Sequence, residues 1–263
     1  MGIPSTHQLG QLEIARGTPD PRVHFHNAGF QIYPSVDAFG REIATQNKPI
    51  NLFVHGFNNT FAESTFRFAQ IVHDVDRDGT PVHFSWASRG AANSYVYDRD
   101  SALMARDDLA ALIVTLSESS SQDVVLAAHS LGSLVLMEAL VQLTHRNERR
   151  ALQQISQVLL ISPDIDADLF ADQMRQIDFP PSRVVIAVNN SARMLAVSGR
   201  ITGNQRRVGR DLTPQVLRTA GFQVLDLSSV EDGDLAGHFL MATSPTLLTF
   251  MRSLEGTQTI PQR

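Results

Sequence analysis

The sequence contains no cysteine among its 263 residues, which excludes disulfide bonds, thiolate metal sites and a cysteine nucleophile. It has no uninterrupted run of about 18 apolar residues, so we expect no membrane span. The formal net charge is −5, which argues against nucleic acid or an anionic membrane as the main partner. The glycine-rich nucleotide-binding motifs are also absent, so we expect no cofactor.

The first residues carry neither the basic stretch nor the apolar stretch of a secretion leader. For the chain as given we therefore expect a soluble, cytoplasmic protein, with a removed leader left open. His24 and His26 have a spacing seen in some metal sites, but no third ligand is paired with them, so we predict no metal site. The sequence leaves the oligomeric state open.

Short apolar strand patterns alternate with helix patterns along most of the chain, which predicts a mostly parallel sheet covered by helices on both faces. The predicted strands are Leu9–Ala15, Val23–Ile32, Ile50–Val54, Pro81–Trp86, Asp123–Ala128, Ile155–Ile161, Arg183–Val188 and Val224–Leu227. The predicted helices run from a Thr60 capping box to about Val75, from near Asp100 or Ser101 onward, and over Leu131–Leu143, Ala167–Gln176, Ser191–Ser198 and Pro245–Leu254.

Ser130 lies between an apolar strand and an apolar helix, with the small residues Ala128 and Gly132 two positions away on either side. This strand, turn and helix context is typical of a nucleophile elbow, in which a sharp turn lifts a serine hydroxyl clear of the sheet. The pattern predicts an α/β-hydrolase fold without a large cap domain. We predict one domain over residues 1–263, in which 1–48 supply N-terminal strands and a connection and 49–263 form the catalytic core.

A serine nucleophile needs a general base and a group that orients the base. In the chain order of this fold the base is a histidine after the last strand, and His238 is the only histidine in the C-terminal third. The predicted acid is Asp164, after the Ile155–Ile161 strand, with Asp166 as the alternative. Residues 189–193, which follow the next strand, contain no carboxylate.

The oxyanion hole of such an enzyme consists of two backbone N–H groups. We predict those of Leu131, which follows the nucleophile, and of Phe57, in the loop after the Ile50–Val54 strand, with Asn58 as an alternative donor. Gly56 lets this loop approach a substrate, and His55 is expected to brace it by hydrogen bonds. Candidates for lining the substrate pocket are His55, Gly56, Asn58, Trp86 and His129.

Two further groups of side chains have open interpretations. Tyr95 and Tyr97 follow the Pro81–Trp86 strand and either line a pocket or pack under the next helix. The arginines between Arg200 and Arg210 either face an anionic substrate group or form salt bridges, for example with Asp211.

Several segments together resemble a bacterial family of α/β-hydrolases of unknown function that is related to serine esterases and lipases. The resembling segments cover nearly the whole chain and include residues 53–61, 84–90, 127–132, 162–166 and 237–238. The resemblance implies a nucleophile at Ser130 and a base at His238. The chain departs from the family pattern at Ala87, where members often have proline, and at residues 190–195, where many carry an aspartate.

The sequence therefore predicts a cofactor-independent serine carboxylesterase acting on small to medium acyl esters through an acyl-enzyme. The segments between the predicted strands after Ile161 are too short to form a large lid, which favours an open site. The alternatives are a non-catalytic binding protein on a hydrolase fold, which the missing aspartate motivates, and a lipase, amidase or lactonase variant.

Overall fold

The structure is a computed structural model that describes residues 1–190, 206–233 and 239–253. Its centre is a sheet of six parallel strands in the order β2-β1-β3-β4-β5-β6. The strands are β1 (Ile50–Val54), β2 (Thr80–Phe84), β3 (Val124–His129), β4 (Ile155–Ile161), β5 (Val184–Val188) and β6 (Gln223–Asp226). The predicted parallel sheet is confirmed.

Helices lie in the connections between successive strands, as parallel pairing requires. The helix before β1 is α1 (Val36–Thr45), and those between β1 and β5 include α2 (Phe61–Val75), α3 (Tyr95–Ser119), α4 (Gly132–His145), α5 (Arg149–Gln154) and α6 (Ala167–Gln176). Further helical pieces cover Pro181–Arg183, Val208–Asp211, Pro214–Thr219, Leu240–Thr243 and Pro245–Ser253. No helix among the described residues is long and apolar enough to cross a membrane.

Helices cover both faces of the sheet. Alternate residues of a strand point to opposite faces, and Leu126 and Ala128 belong to the large buried cluster that also contains the apolar residues of α3 and α4. A second, smaller cluster includes Ile161, Leu240 and Met241. The α4 helix is buried along most of its length, as its nearly uniform apolar composition predicts.

The strand order positions the candidate site. From β1 the chain moves outward to β2, and β3 then returns to the other side of β1. The carboxyl ends of β1 and β3 therefore lie side by side at a topological switch point, where open α/β sheets bind their ligands. Ser130 follows β3, and His55 to Asn58 follow β1.

The predicted N-terminal strands Leu9–Ala15 and Val23–Ile32 are wrong. Apart from an isolated bridge between Gly2 and His26, residues 1–34 contain no strand pairing. Phe30 and Ile32 are more than 80% exposed, at 82% and 81%, so alternating apolar residues here do not mark a buried face. A strand needs a neighbouring backbone edge, and the pattern alone does not provide one.

The other predicted elements among the described residues have bounds within a few residues of those in the structure, except at the start of α3. α3 begins at Tyr95, about one and a half turns before the predicted start near Asp100. α1 was not predicted, although Ser35 caps it by accepting a hydrogen bond from the Ala38 N–H. The sequence also did not predict α5 or the helical pieces other than Pro245–Ser253. The predicted helical piece Ser191–Ser198 lies outside the described residues.

Candidate active site

Ser130 occupies a sharp turn between β3 and α4. Its φ angle is +51°, a left-handed conformation that costs a non-glycine residue about 1–3 kcal/mol and persists only where the surroundings enforce it. Two hydrogen bonds enforce it here. The Ser130 N–H donates to the Ile161 carbonyl oxygen at 2.9 Å, and the Asp164 N–H donates to the Ser130 carbonyl oxygen at 3.2 Å. The turn is thus held by the end of β4, and it has the geometry of a nucleophile elbow.

Small residues are required around this turn because three chain segments meet there. A Cβ atom on Gly132 would lie 2.3 Å from the carbonyl oxygen of His55 and 2.8 Å from that of Val54. A Cβ atom on Gly56 would lie 3.0 Å from the Cβ atom of Ser130. The loop after β1 therefore lies directly against the elbow.

His55 braces this loop from inside the protein. Its Nδ1 lies 2.9 Å from the Gly56 carbonyl oxygen, and its Nε2 lies 3.1 Å from the Trp86 N–H. These partners fix the neutral tautomer with the proton on Nδ1. Burial lowers the pKa of His55, which also favours the neutral ring.

Trp86 completes the brace. The Trp86 indole N–H donates to the His55 carbonyl oxygen at 2.8 Å, and the two rings are stacked. His55 is 3% exposed and Trp86 is 5% exposed. Their polar groups are therefore used inside the protein, and these contacts favour the bracing role over pocket lining for both residues.

Asn59, rather than Asn58, fixes the shape of the loop. Its side-chain amide donates to the carbonyl oxygens of Gly56 at 3.2 Å and Phe57 at 2.9 Å. Its backbone N–H donates to the Ser88 hydroxyl at 3.2 Å. Asn58 has a φ angle of +57°, so it turns the chain between the two anchored neighbours. Neither Asn59 nor Ser88 was predicted from the sequence as a site residue.

The two predicted oxyanion donors are backbone N–H groups on either side of the contact between the elbow and the loop after β1. Phe57 lies in the braced loop, and Leu131 directly precedes the first residue of α4. Within the described part of the chain, neither N–H donates a hydrogen bond to the protein. The positive end of the α4 dipole is near the Leu131 N–H and favours negative charge.

Asp164 lies beside the elbow in a buried polar cluster. Its Oδ2 accepts a hydrogen bond from the Tyr95 hydroxyl at 2.6 Å, and its Oδ1 is 3.3 Å from Nε of Arg207. The side chain of Asp164 is 13% exposed and that of Arg207 is 6% exposed. Burial, together with the nearby Asp164 carboxylate, raises the pKa of Tyr95, so Tyr95 remains a hydrogen-bond donor.

Asp166 has a different task, although it is only two residues away. Its Oδ1 accepts hydrogen bonds from the backbone N–H groups of Asp168 at 3.0 Å and Leu169 at 3.3 Å. It therefore caps the N-terminus of α6. This capping favours Asp164 over Asp166 as the predicted acid.

A short strap, defined as residues 206–211, crosses the carboxyl edge of the sheet next to Asp164. The Gly209 N–H donates to the Pro163 carbonyl oxygen at 3.0 Å, and the Asn189 N–H donates to the Gly209 carbonyl oxygen at 3.2 Å. A Cβ atom on Gly209 would lie 2.5 Å from the Pro163 nitrogen. The strap thus joins the ends of β4 and β5 and delivers Arg207 to Asp164.

Two of the three arginines of the strap form salt bridges, the second of the two interpretations left open by the sequence. Arg200 lies outside the described residues. Arg207 faces Asp164, and Arg210 contacts Asp211 with nitrogen to oxygen distances of 2.6 to 2.9 Å. The rings of Tyr95 and Phe57 pack in a T-shaped arrangement at a centroid distance of 5.4 Å. The sequence could not reveal that Tyr95, Asp164 and Arg207 meet, because 69 and 43 residues separate Asp164 from Tyr95 and Arg207.

The last predicted member, His238, lies outside the described residues, and its role stays a prediction. Phe239, the residue after it in the sequence, stacks its ring on His129 at a centroid distance of 3.8 Å. His129 directly precedes Ser130 and is 6% exposed. The C-terminal part of the chain therefore returns to the elbow at Phe239.

A doubly covered parallel sheet with a serine elbow at its switch point defines the class of the α/β hydrolases. The chain belongs to the family described as "Alpha/beta hydrolase of unknown function (DUF900)", whose model matches residues 36–257. The predicted fold class and family resemblance are confirmed, and the described residues contain no cap domain. No curated protein matches the sequence.

Among solved structures, the chain is similar to several esterases and a lipase. The hyperthermophilic esterase from the archaeon Pyrobaculum calidifontis is 12% identical, with coverage of 79% of this chain and 77% of that chain and a TM-score of 0.39. The carboxylesterase EstE1 from a metagenomic library is 11% identical, with coverage of 79% and 80% and a TM-score of 0.42. The lipase BlEst2 from Bacillus licheniformis is 16% identical, with coverage of 78% and 92% and a TM-score of 0.38. Similarity this distant carries no argument about the reaction.

Proposed function

We propose that the protein is a serine hydrolase that cleaves carboxylic esters through an acyl-enzyme. The observation that carries the proposal is the elbow itself. Ser130 is held in a left-handed conformation at the switch point of the sheet, against a loop that is braced from behind. Strained backbone conformations cluster at active sites, where they position reacting groups.

In the proposed reaction, the Ser130 hydroxyl oxygen attacks the ester carbonyl carbon while His238 accepts the hydroxyl proton. The oxyanion accepts hydrogen bonds from the Leu131 and Phe57 N–H groups, whose availability within the described chain supports this assignment. His238 then donates the proton to the departing alcohol, which leaves an acyl group on Ser130. Water attacks this acyl-enzyme, with His238 again as the base, and releases the carboxylic acid.

Asp164 is the proposed group that orients His238. Its position supports this role, because its backbone N–H already contacts the Ser130 carbonyl oxygen. A carboxylate has about four lone-pair sites, so the contacts with Tyr95 and Arg207 leave room for an imidazole N–H. The proposed substrates carry small to medium acyl groups.

A non-catalytic binding protein is the second candidate. It is favoured by the two contacts that Asp164 already makes inside the protein. It is also favoured by Asn189, the first residue after β5, because an amide stands there instead of a carboxylate that could orient His238. On this hypothesis Asp164 holds only Tyr95 and Arg207, and Ser130 is not activated.

The mass of the intact protein after exposure to a fluorophosphonate separates the two candidates. An esterase forms one adduct per chain, and Ser130→Ala and His238→Ala each abolish it. The control variants are Ser133→Ala, three residues along α4, and His145→Ala, at the exposed end of that helix. Both controls should keep the adduct. If the folded wild-type protein forms no adduct, the esterase proposal is refuted and the binding protein is favoured.

A further inference from the structure

A second cluster of titratable side chains joins the N-terminal segment to the last turn of α2. His7 Nε2 lies 2.8 Å from Oδ1 of Asp74. The ring of His73, the residue before Asp74, is 5.4 Å from the His7 ring between centroids. One donor atom from each of these three residues lies within 4.8 Å of the other two. Two imidazoles and one carboxylate form a donor set that Zn²⁺ commonly binds.

The groups behind these donors are arranged as they are in metal sites. His7 Nδ1 lies 2.8 Å from Oε2 of Glu13, so a carboxylate holds the ring and directs its Nε2 toward Asp74. Such carboxylate–histidine pairs orient the histidine ligands of zinc and raise their basicity. The Asp74 carboxylate is oriented as well, because its Oδ2 accepts hydrogen bonds from the Gly10 N–H and the Gln70 side chain.

The backbone of the ligand turn is also fixed. Nε of Arg252 donates to the Asp74 carbonyl oxygen at 2.9 Å, and an Arg252 terminal nitrogen donates to the His73 carbonyl oxygen at 3.3 Å. The side chains of His7 and Asp74 are 6% and 1% exposed, whereas His73 is exposed. The cluster therefore has two buried, oriented donors and a third at the surface, where an ion enters.

We propose that His7, His73 and Asp74 bind a divalent transition-metal ion of the zinc class, with water as the fourth ligand and Glu13 as the carboxylate that orients His7. In a tetrahedral site with bonds of about 2.0–2.1 Å, two ligand atoms lie roughly 3.3 Å apart. His7 Nε2 and Asp74 Oδ1 therefore separate by about 0.5 Å when the ion replaces the proton that they share.

This site is separate from the proposed catalytic one. Ser130 lies at the carboxyl edge of the parallel sheet, and α2 starts at this edge, just after the loop that follows β1. The last turn of α2, which carries His73 and Asp74, leads to the amino end of β2 at the opposite edge. The ion would fasten the N-terminal segment to α2, and its binding is independent of ester hydrolysis.

The test is zinc titration of the full chain after treatment with a chelator, followed by calorimetry and thermal unfolding. We expect one Zn²⁺ per chain with a micromolar or tighter Kd and a higher Tm in the presence of zinc. His73→Ala should weaken binding at least tenfold and abolish the rise in Tm, since His73 contributes a ligand atom. Glu13→Gln should weaken binding about 10- to 100-fold. The matched control is His145→Ala, which removes another exposed histidine from a helix end and should bind as the wild type does.

His73 is exposed, so its replacement leaves the folded protein intact for the titration. If the wild type binds no zinc, or if His73→Ala binds it with unchanged affinity and stoichiometry, the proposal is wrong. His7 is then held between Glu13 and Asp74 by hydrogen bonds alone. A Co²⁺-loaded sample provides a second measurement, because tetrahedral coordination gives intense visible absorption that His73→Ala should lose.

Discussion

Replacing Gly132 by alanine tests the contact between the elbow and the loop after β1. The added Cβ atom would lie 2.3 Å from the His55 carbonyl oxygen and 2.8 Å from the Val54 carbonyl oxygen. These are backbone atoms near the end of β1, so they cannot rotate away as a flexible side chain would. A normal contact needs the end of β1 and its loop to move by about 1 Å. Overpacking of this kind costs about 1–3 kcal/mol.

The helix propensity of alanine offsets part of this cost. Alanine in place of glycine stabilises a helix by up to about 1 kcal/mol, and Gly132 has no positive φ angle that alanine would strain. We therefore expect Gly132→Ala to lower the free energy of unfolding by about 1–2 kcal/mol. The same displacement moves the Phe57 N–H, and a shift of about 1 Å in an active site costs about 100-fold in rate.

Urea denaturation and the rate of fluorophosphonate labelling measure the two effects separately. The control is Gly17→Ala, because no atom lies within 4 Å of a Cβ atom at that position, and neither quantity should change. If Gly132→Ala unfolds at the wild-type urea concentration and labels at the wild-type rate, then the loop does not pack against the elbow as described. Loss of stability with an unchanged labelling rate would refute only the role of Phe57.

Three further predictions concern single side chains. Burial, together with the neighbouring His55, lowers the pKa of His83 from 6.5 to about 4. The unfolded chain therefore binds this proton more tightly than the folded protein does. As a result, the free energy of unfolding decreases as the pH falls from 6.5 toward 4. His83→Leu should remove up to roughly 3 kcal/mol of this acid sensitivity, and parallel acid-denaturation curves for the two proteins would disprove it. Thr60→Ala removes the capping box of α2 and should lower the unfolding free energy by about 1 kcal/mol in urea titration; no change would mean that the cap is dispensable. Tyr95→Phe removes the hydroxyl bond to Asp164 and should lower kcat for an ester substrate with little change in KM, whereas an unchanged kcat would show that Asp164 needs no support from Tyr95.

The sequence predicted the sheet well because its strands are short and apolar on both faces. β1 and β4 have the predicted bounds, and the Thr60 capping box begins α2 as predicted. Each of these signals is local: an apolar run, a capping pair, or a small residue beside a turn. The N-terminal strands failed because residues 9–32 show alternation without a partner strand, and only the folded chain shows whether a partner exists.

The candidate site was predictable where one segment carries the whole signal. The elbow at Ser130 is contained within about ten residues, and the structure shows its strained turn. The cluster of Tyr95, Asp164 and Arg207 is assembled from three distant segments, and no periodicity encodes such a meeting. The bracing of the loop by His55 follows from its partners Gly56 and Trp86, of which only the first is adjacent in the sequence.

The strap also bears on how proteins with this fold diverge. The chain is fixed at the end of β5 by the bond between Asn189 and Gly209, and it is fixed again at residue 206, where the Ala167 N–H donates to the Arg206 carbonyl oxygen at 2.9 Å. Both anchors are bonds between backbone groups, which every residue except proline can form whatever its side chain. Apart from Gly209, where a Cβ atom would lie 2.5 Å from the Pro163 nitrogen, the strap can therefore exchange side chains without losing its backbone path. Evolution can in this way change the chemistry beside the serine while the sheet, the elbow and the course of the strap stay unchanged.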